Sequence, residues 1–172
     1  MRIWYKNSVF KNATIKIDNG SLNISNSYLE NITITGQSIN SSCNFSVINS
    51  EIFNSTIFKD SSVESLYPCV SGNVVINKTI LRDILNKIKI AGTSSIWVTE
   101  SMILRSRGFI VGSTGQYDIS KNYIRDVKEN NLLTISSNNL SRSFKNNYIL
   151  QSPAVIFSNT TPDIIDVSEN NF

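Results

Sequence analysis

A six-residue pattern recurs along this chain: apolar, any, polar, Asn or Ser, any, apolar. It reads clearly in Ile119–Ile124 (ISKNYI), Phe144–Ile149 (FKNNYI) and Val167–Phe172 (VSENNF). It also occupies Tyr5–Phe10, Ile24–Leu29, Val47–Ile52, Val75–Ile80 and Val98–Ile103, with starts 19, 23, 28, 23, 21, 25 and 23 residues apart. One supersecondary unit repeated at this period is the signature of a solenoid, in which each unit buries its apolar face only against its neighbours.

The columns of the repeat assign faces. First and sixth positions are apolar in every copy, so both are expected to point inward. Two residues earlier the column is again mostly apolar (Ile3, Leu22, Phe45, Ile96, Tyr117, Ile165), with Asn73 and Arg142 as exceptions. Such alternation marks a strand with one buried face. The third column mixes Asn with Glu100, Lys121 and Glu169, which predicts exposure and a Glu100–Lys121 neighbour pair. The fourth column is Ser8, Ser27, Ser50, Lys78, Ser101, Asn122, Asn147 and Asn170. Small polar groups stacked inside a turn can satisfy one another along the stack. Lys78 interrupts that ladder and is expected to snorkel outward.

A second set of apolar pairs follows the motifs: Ile15/Ile17, Ile32/Ile34, Ile88/Ile90, Phe109/Val111, Leu133/Ile135 and Val155/Phe157. Each coil therefore carries at least two strand segments. Successive coils are expected to stack as parallel strands ~4.8 Å apart, giving a rod roughly 35 Å long. The expectation is an all-β fold, a single-stranded parallel β-helix of about seven coils of ~23 residues, right-handed by the crossover rule. Residues 1–172 read as one domain, and the repeat-phased ends predict a fragment of a longer repetitive protein.

These repeats resemble those of right-handed parallel β-helices, and most of all the pectin-lyase-like superfamily with its carbohydrate-binding and sugar-hydrolase repeat domains. The resemblance covers nearly the whole chain. It implies a fold shared by polysaccharide lyases, hydrolases, phage tailspikes and adhesins, so it constrains function weakly. The superfamily's lyases use Arg or Lys near acidic calcium ligands, which makes Arg82, Arg105 and Asp126 the catalytic candidates here. The adjacent aspartates and histidine of polygalacturonase-like enzymes have no counterpart in this chain.

Composition narrows the chemistry. There is no histidine, which excludes Ser-His-Asp catalysis and His-ligated metal. Two cysteines without histidine make a poor metal site, and no cofactor is expected. Net charge is +3 with 17% charged residues, against the basic stripe of a nucleic-acid binder. No apolar run approaches the length of a membrane span.

Two returns are long, Thr35–Ser46 and Phe58–Val74, and the second contains Tyr67. Insertions on a regular scaffold are where function is often grafted, though simple tolerance of extra residues explains them equally. Cys43 and Cys69 lie in these returns. They are read either as a disulfide closing about 25 residues, worth ~3 kcal/mol, or as two buried thiols.

Ten Asn-x-Ser/Thr sequons are present, and Asn12, Asn31 and Asn54 share one register. Three glycans could not share a ~5 Å spacing, so these three are read as a second polar stack. The same column continues through Arg82, Arg105, Asp126 and Gln151. It yields either an anion-binding basic spot or arginines paired with Asp83 and Asp126 on a solvated face. Tyr123 and Tyr148 fall one coil apart on an outward column, and Trp97 is also outward; with Tyr67 these are the ligand-binding candidates. Exposed aromatics can bind sugars or stabilise the sheet.

Three functional classes follow. One is a non-enzymatic module of a cell-surface adhesin or viral fibre, extracellular or on a virion, binding polysaccharide or cell-surface glycan. The second is a polysaccharide lyase or hydrolase fragment. The third is a structural module that forms homo-oligomers or end-to-end contacts.

Overall fold

The structure is a computed structural model that describes residues 2–17, 20–36, 43–57, 72–86, 88–90, 95–112, 116–128, 133–136, 142–152, 155–157 and 168–172. The described chain is all-β, and its paired strands are parallel. It is a parallel β-solenoid. The first sheet stacks Arg2–Lys6, Gly20–Ser25, Cys43–Ile48, Asn73–Asn77, Ser95–Thr99, Tyr117–Ser120 and Arg142–Lys145. The second stacks Val9–Lys11, Tyr28–Glu30, Glu51–Phe53, Ile80–Arg82, Met102–Leu104, Tyr123–Arg125 and Tyr148–Leu150. The third face is divided into Thr14–Ile17, Thr33–Gly36 and Thr56–Ile57, and then Ile88–Ile90, Phe109–Gly112, Leu133–Ser136 and Val155–Phe157. Where it divides, Asn86 takes the place of a strand. Its Nδ2 donates to the Ile57 carbonyl (2.6 Å) and its Oδ1 accepts from the Ile57 N–H (2.9 Å).

The repeat motif straddles a corner. Its first and sixth positions are five residues apart, an odd number, so a single strand of period two could not turn both inward. The chain bends at the third position instead. Asn7, Asn26, Asn49, Lys78, Glu100, Lys121, Asn146 and Glu169 all have positive φ. A second corner repeats the device five residues later in Asn12, Asn31, Asn54, Asp83, Arg105, Asp126 and Gln151. Asn and Asp enter the left-handed region most readily of the non-glycine residues. This explains how a chain with only seven glycines can turn so often.

The fourth copy of the motif begins at Ile76, one residue later than the sequence pattern placed it. Ile76 pairs with Val47 and Val98, and Val74 with Phe45 and Ile96. The shift removes two anomalies. Val74, not Asn73, takes the inward position, and Thr79, not Lys78, takes the inner ladder. Lys78 sits at the exposed corner, where its ammonium lies 3.7 Å from Glu100. Glu100 therefore meets Lys78 as its ion-pair partner, rather than the Lys121 expected from sequence.

The core is a column of aliphatic and aromatic side chains including Leu22, Phe45, Ile76, Leu81, Ile103, Tyr117 and Phe144. Inside the first corner runs the polar ladder. Ser27 Oγ accepts from Ser8 N–H (3.1 Å) and Ser50 Oγ from Ser27 N–H (3.1 Å). Ser101 Oγ accepts from Thr79 N–H (3.1 Å), Asn122 Oδ1 from Ser101 N–H (2.9 Å) and Asn147 Oδ1 from Asn122 N–H (3.1 Å). A second ladder lines the other corner, where Ser55 and Ser106 accept from Ile32 and Ile84 N–H at 3.1 Å each. The backbone donors freed at each bend are thereby paired, as buried backbone groups must be.

Outside the second corner the asparagines stack as the shared register predicted. Asn31 Nδ2 donates to Asn12 Oδ1 (3.0 Å) and Asn54 Nδ2 to Asn31 Oδ1 (2.7 Å).

Cys43 opens a first-sheet strand opposite Gly20. Cys69 and Tyr67 lie outside the described residues, as does most of the long return that holds them. The expected Cys43–Cys69 disulfide falls there too.

Candidate functional site

The outward face of the second sheet concentrates the side chains of interest. Along its strands Val9, Tyr28, Glu51, Ile80, Met102, Tyr123 and Tyr148 form one continuous column. Ile80 holds the fourth turn's place in this column. The adjacent column is Lys11, Glu30, Phe53, Arg82, Leu104, Arg125 and Leu150. The residues of the second corner border it.

The corner column requires a correction. Asp83, not Arg82, has the left-handed backbone that continues Asn54 toward Arg105. Arg82 lies one residue earlier, on a strand opposite Leu104. The two arginines therefore do not stack. Arg82 Nη2 bonds Glu51 Oε1 at 2.6 Å, and its guanidinium lies 4.6 Å from the centre of the Phe53 ring. Arg105 instead grips Asp83, with Nε to Oδ1 at 3.0 Å and Nη2 to Oδ2 at 2.6 Å. The Arg105 hydrogen bonds hold the Asp83 carboxyl below the ordinary aspartate range, against the opposing effect of burial, and Lys128 at 3.4 Å adds to the effect. Asp83 in turn raises Arg105. Asp126 meets Arg125 Nε at 3.1 Å. Among the described residues, then, both aspartates of the patch are engaged by cations.

Three of the candidates meet in one place. A shallow depression of about 390 Å³ is lined by Met102, Leu104, Arg105, Tyr123, Arg125 and Asp126. Tyr148 adjoins it: its ring stacks on Tyr123 with centroids 5.6 Å apart and planes 15° from parallel. Stacking leaves each tyrosine one ring face and its phenol for a ligand. Such a pair adds about 0.5–1.5 kcal/mol beyond its area burial. Arg125 was not singled out by sequence, although it closes the depression. Its Nε lies 3.1 Å from Asp126 Oδ2, and its side chain is half exposed. The signal that could have found it was its place one strand after Leu104 and two residues after Tyr123, which puts it on the same outward face.

Trp97 does not join this group. It lies on the first sheet between Val75 and Asp118. Trp4 occupies the same face but opposite Asn23, four strands away, so the two indoles form no platform.

Among the described residues no three acidic or cysteine side chains come together as a metal site. No family model, no curated protein and no solved structure matches the chain. What can be said of its chemistry therefore comes from its own side chains.

Proposed function

We propose that this protein is a non-enzymatic β-solenoid module that offers the outer face of its second sheet to a glycan. We further place it among right-handed parallel β-helices of the pectin-lyase-like kind, as part of an adhesin or viral fibre working outside the cell. The observation that carries the reading is the depression beside Tyr123, where apolar side chains (Met102, Leu104) meet an aromatic pair and the half-exposed side chain of Arg125. Apolar surface with a few orienting polar groups is the usual make-up of a small-ligand site. The ion pairs of Asp83 and Asp126 favour binding over hydrolysis, because a carboxylate committed to a guanidinium is poorly placed to move protons.

The test is incubation with a panel of neutral and acidic polysaccharides, reading retention and polymer length together. Retention without shortening is the expected result, lost in Tyr123→Ala and Tyr148→Ala. Shortened polymer, abolished by Arg105→Ala, would overturn it in favour of a lyase or hydrolase. A second reading, self-association through the same face, is favoured by the exposure of Val9 (69%), Tyr148 (44%) and Met102 (39%). A defined oligomer by light scattering, with no retention on any polymer, would select it.

A further inference from the structure

The two ends of the stack are unlike. At one end Arg2–Lys6, Val9–Lys11 and Thr14–Ile17 are the outermost strands of their sheets, and among the described residues each pairs on one side only. Such an edge carries a row of unpaired N–H and C=O groups that can template a further strand. The apolar interior is also less covered there. Ile3, Tyr5 and Phe10 are partly buried, whereas their partners one turn on, Leu22, Ile24 and Leu29, are 0%, 1% and 0% exposed. Trp4 and Val9 stand 70% and 69% exposed at the rim. Charge then separates the ends. Arg2, Lys6, Lys11 and Lys16 are the charged residues of positions 1–17, with no acid among them. Beyond Lys145 the chain carries Asp163, Asp166 and Glu169 and no lysine or arginine. Of these three, Glu169 is described, and it is exposed at the first corner.

We propose that these ends are a docking pair: the solenoid assembles head to tail, the basic first turn of one copy receiving the acidic last turn of a second copy. The first-corner column shows how the charges meet. Lys78 and Glu100 occupy it on adjacent turns, with Nζ 3.7 Å from the carboxylate. Glu169 and Asn7 belong to the same column. A second copy that continues the stack therefore brings Glu169 beside Lys6, the neighbour of Asn7. Lys11 and Glu30 make a similar contact between the first two turns at 2.8 Å. Charged side chains on an edge strand commonly keep edges apart. Here they do so selectively, because two basic ends repel, two acidic ends repel, and unlike ends attract. The contact joins different patches on the two copies. It is heterologous and open, and it yields a filament rather than a closed dimer. It leaves the outer face of the second sheet clear, and the inference does not depend on the function proposed for that face.

Sedimentation velocity on the 172-residue chain tests it. At about 20 mM salt the weight-average mass should rise from 19.2 kDa with protein concentration and pass the dimer without levelling. At about 500 mM salt the association should weaken at least tenfold. Arg2→Glu/Lys6→Glu and Glu169→Lys should each weaken self-association about tenfold or more. Mixed one to one, the two variants should recover an association that stops at a pair, since one keeps the acidic end and the other the basic end. Tyr123→Ala should assemble like the parent. A chain that stays at 19.2 kDa at every concentration, a closed dimer, an association that salt does not weaken, or mixed variants that remain monomeric would each overturn the proposal. Loss of association in Tyr123→Ala would overturn it in favour of contact through the second-sheet face.

Discussion

Replacing Asn122 by alanine tests whether the inner ladder or the aliphatic core holds successive turns together. Asn122 is 2% exposed and works in three directions. Its Oδ1 accepts from Ser101 N–H at 2.9 Å, and its Nδ2 donates to the Val98 carbonyl at 2.8 Å and to Asn147 Oδ1 at 3.0 Å. Alanine leaves a buried N–H with no acceptor and deprives two oxygens of a donor. At about 1–3 kcal/mol for an unmet group, and less where an oxygen keeps another donor, the loss should total roughly 3–4 kcal/mol. Asn147 Oδ1 still receives the Asn122 backbone N–H, which holds the figure down. Asn122→Ser is the informative companion, because serine fills this column at Ser27, Ser50 and Ser101. Its hydroxyl can take the Ser101 N–H but cannot reach as far as an amide. A cost of about 1–2 kcal/mol is expected. Urea unfolding followed by far-UV circular dichroism measures both. The slope must be compared with wild type, since a repeat array can lose cooperativity between neighbouring turns. An Asn122→Ala loss under about 1 kcal/mol, or a serine variant as damaged as the alanine one, would refute the ladder argument.

The second ladder should behave alike. Ser106→Ala removes the acceptor of Ile84 N–H and should cost about 1–3 kcal/mol in the same assay. Lys121→Asn should raise the melting temperature by an amount equivalent to about 0.5–1 kcal/mol, because asparagine tolerates the left-handed corner that Lys121 occupies at φ 58°. A lower melting temperature would show that the lysine side chain does more than fill the corner. Asp83→Asn should flatten the acid limb of stability. The Asp83 carboxyl is held below its ordinary value by Arg105 and then Lys128. Its contribution is therefore complete above the unfolded value of ~3.9 and disappears as pH falls through the lower folded value. Thermal melts between roughly pH 2 and 5 read the difference, and an unchanged limb in the variant would count against the pair.

Much of the fold could be read from the chain because its columns repeat. A residue buried in one turn is buried at the same place in the next, so Leu29, Ile52, Ile103, Ile124 and Ile149 each support the others. The error in the fourth turn arose where this redundancy failed. Val74, Val75 and Ile76 are three consecutive β-branched residues, and hydrophobicity alone cannot say which two point inward. The polar residues did hold the answer. A lysine in a buried ladder and an asparagine in a core column both disappear with a shift of one residue. The corner itself was legible in the same way, since an odd spacing between two inward positions demands a bend.

The site was less legible, and for a different reason. Burial is enforced along the whole stack, whereas a binding face is composed of the outward positions that the fold leaves free. Tyr123 and Tyr148 were found because they share a column. Arg125 was missed because its partners in the depression come from different columns and corners, and no single period links Met102, Arg105 and Arg125. The same one-residue shift joined Arg82 to Arg105, when each in fact holds a carboxylate of a neighbouring turn. In a solenoid, then, periodicity identifies what is buried, and the candidates for function must be sought among the outward side chains that the stack leaves free.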